Sequence, residues 1–236
     1  IEHCVPDFPP DPCTGIEMSL PGFVDCQPVG MDCPAGDWPD DIPEGASVIY
    51  VKTDGSDSAG LGELTLSEPD FAVGTVAHAL EQARAYADSG QPVDFIVLSR
   101  ASHQVEETLV NDIGVSIRGT CAAESRLSSP CGELALHITG AGDPVLRDLS
   151  IASVGPALAL SDFEGTITLE NLKVSPVSGV GISVDTVQGE VHLHNVKILE
   201  IESLGGGGAA AGSESEQPEP PPSPSPVPGD GNGGGN

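Results

Sequence analysis

Apolar and polar residues return in one phase at three places: Leu146-Arg147-Asp148-Leu149-Ser150-Ile151, Leu169-Glu170-Asn171-Leu172-Lys173-Val174 and Leu193-His194-Asn195-Val196-Lys197-Ile198. Their third residues lie 23 and then 24 positions apart. A period in the twenties marks stacked repeats, each too small to bury its own apolar face. Between these hexads the chain reads as strand after short strand, with Gly, Pro, Asp and Ser as punctuation. Val48–Val51, Phe95–Leu98, Val115–Ile117, Leu134–Ile138, Ala157–Leu160, Ile167–Leu169, Gly181–Val184 and Val191–Leu193 are the runs. Alternation places Ile167 and Leu169 on one face and Thr166, Thr168 and Glu170 on the other.

One helix is predicted, from Thr75 to about Ser89 and closed by Gly90, with Val76, Leu80, Ala83 and Ala87 as its apolar stripe. His78, Glu81, Gln82, Arg84 and Asp88 fall mostly off that stripe, and His78 reads as a solvated helix residue. Residues 1–46, rich in Pro, Asp and Cys, read as an irregular leader. Residues 47–204 carry the repeats. Residues 205–236 hold Gly, Ala, Ser, Glu and Pro in a mix that cannot bury a core, and read as linker or disordered tail.

Each period supplies about three strands, so stacked coils enclose an apolar interior within three parallel sheets. A tight corner needs a residue near the left-handed region, which Asn, Asp and Gly tolerate best. Asp148, Asn171 and Asn195 hold that position, and Gly119 is expected to hold it one coil earlier. On these residues the chain resembles the right-handed parallel β-helix proteins of the pectate-lyase-like fold, whose members stack such asparagines in a ladder. That implies an all-β solenoid of four to five coils over residues 47–204, with the helix plugging its N-terminal end. The leader run Cys33-Pro34-Ala35-Gly36-Asp37-Trp38-Pro39 and the helix after the first strand also resemble secreted β-helix proteins of myxobacteria and related bacteria. Trp38, the single tryptophan, is expected to plug an exposed apolar end.

Composition narrows the partners. Eight Lys and Arg against 36 Asp and Glu give a formal charge of −28, which disfavours nucleic acid and anionic membranes. No run of about 18 apolar residues is present, so no transmembrane segment is expected. No basic-then-apolar signal region opens the chain, and Ile1 reads as the start of a mature or excised chain. The six cysteines, Cys4, Cys13, Cys26, Cys33, Cys121 and Cys131, are even in number and sit in acidic, Pro-containing surroundings. They point to disulfides and a secreted or cell-surface location. The first four lack a C-x-x-C pair, which argues against zinc, and their connectivity stays open. Cys121 is expected to bond Cys131 across a loop between two strands.

The resemblance implies that any chemistry lies along the sheet made by the third strand of each coil. Its outward positions are His137 and Thr139, Ala159 and Ser161, and Ser183 and Asp185, with Asp162 beside them. They are small and mostly neutral. They form neither the clustered carboxylates with a Lys or Arg base of a lyase nor the paired carboxylates of a hydrolase. Asp162 and Asp185 read as turn residues before they read as a catalytic pair. His192 and His194 share a strand face at a spacing that chelates metal only weakly. Asp54 and Asp57 are too few for Ca²⁺ without backbone support. The leading expectation is a non-catalytic, structural or carbohydrate-contacting module that touches polysaccharide or a cell-envelope component, without a cofactor. A polysaccharide lyase or glycoside hydrolase acting on acidic polysaccharide, and a calcium-stabilised spacer, are the alternatives. No capping helix follows Leu204, so further coils or a partner are expected to cover the C-terminal end.

Overall fold

A computed structural model describes residues 13, 17–19, 24–30, 32–58, 66–130, 133–176 and 180–199. Two short strands, β1 (Glu17–Met18) and β2 (Gln27–Pro28), pair antiparallel in the leader. Then come β3 (Val48–Val51), helix α1 (Val76–Asp88), β4 (Phe95–Leu98), β5 (Ser102–Gln104), β6 (Leu109–Asn111), β7 (Ser116–Gly119), β8 (Arg126–Ser129) and β9 (Leu136–Gly142). The long strands β10 (Val145–Ser153), β11 (Leu158–Pro176) and β12 (Ile182–Ile198) each run round one or more corners. From β3 onward every strand pair is parallel, and the chain winds a β-solenoid of about four turns.

Register stacks like residues inside the tube. Ile49, Ile96, Ile117, Leu146, Leu169 and Leu193 form one column. Leu109, Leu136, Leu158 and Ile182 form another on the third sheet. The first five members of the first column and the first three of the second are buried. Removing that apolar area from water supplies the main stabilising force. Helix α1 covers the N-terminal end. Val76, Ala79, Leu80 and Ala83 join the same core as Ile49, Val51 and Val73, and Thr75 caps the helix by accepting from the His78 N–H at 3.2 Å. Two side chains expected on the wet face differ from that reading. Gln82 is fully buried, and half-buried His78 packs beside it with the ring nitrogen 3.2 Å from the amide.

Three corners recur, and each is marked by a residue with unusual backbone geometry. Asp148, Asn171 and Asn195 have φ of 57°, 52° and 56°. Their side chains bond in series: Asn195 Nδ2 donates to Asn171 Oδ1 at 3.0 Å, and Asn171 Nδ2 to Asp148 Oδ1 at 2.8 Å. Gly119 departs from the expectation, since it is not among the residues of positive φ. Glycine is required there because a Cβ would strike the Asp148 carbonyl. Gly142, Gly165 and Gly189 share the period of the ladder, face one another in register, and all have positive φ. A Cβ on Gly165 or Gly189 would meet the carbonyl of the glycine one coil below.

The loop expected between Cys121 and Cys131 contains a strand instead, because β8 continues the second sheet beneath β10. Cys121 bonds Cys33, with Cα atoms 5.2 Å apart, and not Cys131. The corner after β7 brings Cys121 under the leader, where Thr120 Oγ1 lies 2.7 Å from the Asp37 carbonyl. Cys13 bonds Cys26. Cys4, Cys131 and the tail 205–236 lie outside the described residues.

Candidate functional site

Two surfaces of the solenoid carry its polar chemistry: the outer face of the third sheet, and the corner that carries the side-chain ladder. On the third sheet, register aligns Val110, His137, Ala159 and Ser183 in one outward row. Ser161 and Asp185 pair in the neighbouring row, on the side where Thr139 lies. His137 Nε2 and Ser161 Oγ are 2.7 Å apart, so the two polar groups satisfy each other across adjacent coils. Ser183 Oγ lies 3.5 Å from the Leu158 carbonyl, and Thr139 Oγ1 donates to the Asp162 carbonyl at 3.4 Å.

Asp162 and Asp185 have different jobs. A one-residue irregularity after Leu160 turns Asp162 into a corner residue with φ 49°, matched one coil on by Thr186 at φ 53°. Asp185 stands before that corner, exposed and level with Ser161. The two aspartates are therefore one register step out of line.

The other surface is fastened down. The leader lies against the ladder corner, and Gly30, with φ 85°, packs so closely that its Cβ would stand 3.2 Å from Asn171 Cβ. Arg118 reaches Asp41 and Asp148, and Arg147 bonds Asp148 at 2.8 Å and Asp41 at 3.3 Å. Arg147 also approaches Glu170 at 3.8 Å, a half-buried, solvent-reached contact worth under about 1 kcal/mol. Arg100 donates to the Pro34 carbonyl at 2.9 Å and pairs with Glu124, whose carboxyl that bond holds below its ordinary value. Lys52 meets Asp37 at 3.4 Å. At the far end Lys197 donates to the Glu17 and Cys13 carbonyls, and burial holds its ammonium below the usual lysine value. Five of the chain's eight Lys and Arg residues thus hold the leader. Trp38 belongs to this fastening and plugs no end, since its ring meets the outward Tyr50 edge-on at 4.8 Å.

A cavity of about 720 Å³ opens between α1 and residues 102–110, lined by Thr75, Glu81, Arg84, His103, Glu106 and Glu107 among others. Sequence reading did not single out His103. It occupies an inward position below Leu127, 2% exposed. Its Nε2 lies 3.2 Å from the Ser99 carbonyl, which can only accept, so that nitrogen carries the proton and Nδ1 is left without a partner. Burial holds this imidazole below its ordinary value, against the smaller upward pull of the Ser99 carbonyl. Arg84 is committed to Asp112 at 2.7 Å.

Asp57 accepts from the Gly74 and Thr75 N–H groups and from the Thr75 hydroxyl, while Asp54 faces Lys52 at 3.7 Å. Asp57 thus fixes the start of α1. His192 contacts Glu190 at 2.8 Å, and its ring stands 6.3 Å from that of His194. Among the described residues, three donor atoms of His, Cys, Asp or Glu type converge only at Cys33, Cys121 and Glu124, where the two sulfurs are spent in the disulfide. No helix among the described residues is long and apolar enough to cross a membrane. No protein-family model, no curated protein and no solved structure matches the chain.

Proposed function

We propose that this chain is a non-catalytic, extracytoplasmic solenoid module that contacts neutral carbohydrate through the outer face of its third sheet. The observation that carries the reading is where the charges go. Five of eight cations fasten the leader to the ladder corner, and the third-sheet rows present imidazole, hydroxyl and aliphatic groups with Asp185 as their one carboxylate and no cation. A polyanionic substrate needs cations near the scissile bond, and a chain at −28 that spends its cations elsewhere repels such a polymer. Neutral polysaccharide carries no such penalty and offers hydroxyls to His137, Thr139, Ser161 and Ser183. The two disulfides support an oxidising compartment. The right-handed, pectate-lyase-like variety of the solenoid, as in secreted bacterial proteins, is part of the same proposal.

Retention on insoluble neutral glucans and on pectate or alginate, each with and without calcium, tests this. Binding to a neutral polymer is expected, weakened about tenfold or more in His137→Ala and Ser161→Ala, since each removes a polar group from the contact face. Turnover of pectate or alginate that Asp185→Ala abolishes would overturn the proposal in favour of a lyase or hydrolase. A melting temperature lowered by chelation would favour the calcium-stabilised spacer.

A further inference from the structure

Among the described residues, the last turn of the solenoid has one uncovered side. Strand β12 pairs with β11 on one side, and among the described residues nothing pairs with its other side. Its inward residues stand in register over buried ones: Val184 over Leu160, Leu193 over Leu169 and Ile198 over Val174. Yet these three are 54%, 57% and 51% exposed. A 17-residue strand with an open edge and core-type side chains is a template for another strand.

The pattern of that edge says which strand. Count outward from Glu190. Three residues away on either side stand Val187 and Leu193, six away Val184 and Val196, and eight away Ile182 and Ile198. All six lie in register over buried residues of β11. Six of the seven apolar positions that lie over buried residues of β11 are thus palindromic about Glu190, and the seventh, Val191 over Ile167, has Gly189 as its mirror position. A two-fold axis perpendicular to the solenoid reverses strand direction, so two β12 edges meet antiparallel. Directly opposed residues in an antiparallel pair point to the same face. With Glu190 on the axis, Leu193 faces Val187 of the second copy, Val196 faces Val184, and Ile198 faces Ile182. Six of the seven inward apolar side chains then meet another inward one, Val191 meets Gly189, and the two interiors join as a single core. Self-complementarity of this kind is what an isologous dimer requires.

We infer that the chain forms a two-fold dimer through the edges of β12, closing the C-terminal end with a second copy of itself. Charge permits contact there. Strand β12 holds Asp185, Glu190 and Lys197, a formal −1, within a chain of −28 that repels its own kind over the rest of its surface. Residues 200–236 hold Ile201, Leu204 and Val227 as their large aliphatic members. Val180 to Leu199 supplies 20 residues, the lower end of the roughly 20–30 per side that stable interfaces use.

Light scattering on the full chain tests the inference. The expected mass is twice 24.0 kDa, falling to 24.0 kDa in Leu193→Glu with the dissociation constant raised about thirtyfold or more. Phe71→Ser, which removes an exposed apolar side chain far from β12 in sequence, leaves the dimer intact. The register has its own readout. Glu190→Cys lies on the axis and forms a covalent dimer under mild oxidation, whereas Ser183→Cys, seven residues off it, does not; wild type corrects for the native cysteines. A monomeric wild-type chain, an open series of larger species, or a dimer in which Glu190→Cys fails to cross-link overturns the inference. If Leu193→Glu unfolds the chain, the cross-link alone decides.

Discussion

The two ends of this solenoid are made of the same rungs, and among the described residues only one of them is covered. At the N-terminal end Ile49 and Val51 are buried because α1 lies across them, with Val76, Leu80 and Ala83 completing the core. At the C-terminal end Leu193 and Val184 occupy equivalent inward positions and stay more than half exposed. The lesson is that an inward-pointing position in a solenoid is a matter of register, whereas burial is a matter of what comes next along the axis. A coil supplies the underside of its neighbour and cannot supply its own lid.

This contrast can be broken or sharpened by mutation. The largest effect is expected from Leu80→Ala at the covered end, where a cavity opens under the helix and about 2–5 kcal/mol is lost in denaturant unfolding. Leu193→Ala, measured at dilutions where the chain is monomeric, is expected to cost under about 1 kcal/mol. Equal losses at both ends would mean that the C-terminal coil is covered in the monomer. A smaller gap separates two rungs of the ladder. Asn171→Ala breaks bonds to both neighbours and places alanine at φ 52°, costing about 1–3 kcal/mol. Asn195, at the exposed end with one ladder bond, is expected to lose about 1 kcal/mol on the same change. The smallest effect belongs to pH. His103, under the covered end, has its folded value lowered, so below about pH 6.5 the unfolded chain binds more protons than the folded one. Its contribution to stability is full above that pH and declines as the pH falls towards the folded value, by at most about 1.4 kcal/mol per pH unit. His103→Leu flattens this part of the profile of melting temperature against pH, and an unchanged profile would show that the imidazole is already hydrated.

The solenoid was legible because its cause is periodic. Leu146, Leu169 and Leu193 sit one coil apart in sequence and one above another in space, and the corner residues repeat with them. Gly142, Gly165 and Gly189 carried the same period and were readable on the same grounds. The short strands β5, β6 and β8 were not. Ser102–Gln104 and Arg126–Ser129 hold too few apolar residues to alternate, and they are strands because the coils above and below pair with them. The third-sheet positions could be named from alternation, but the His137–Ser161 contact depends on neighbouring coils stacking at one register. The same holds for the leader. Nothing in residues 13–46 announces that Gly30 rests on Asn171 or that Cys33 meets Cys121, 88 residues on.

What the sequence determined by itself was the repeat, its strand-and-corner grammar and the one helix, because each is a local response of the backbone to side-chain spacing. What tertiary structure alone decided was which side chains became partners: the leader with the ladder, His103 with the core, and Asp57 with the start of the helix. Those contacts join segments far apart along the chain, and their energy comes from proximity that only the wound coil creates.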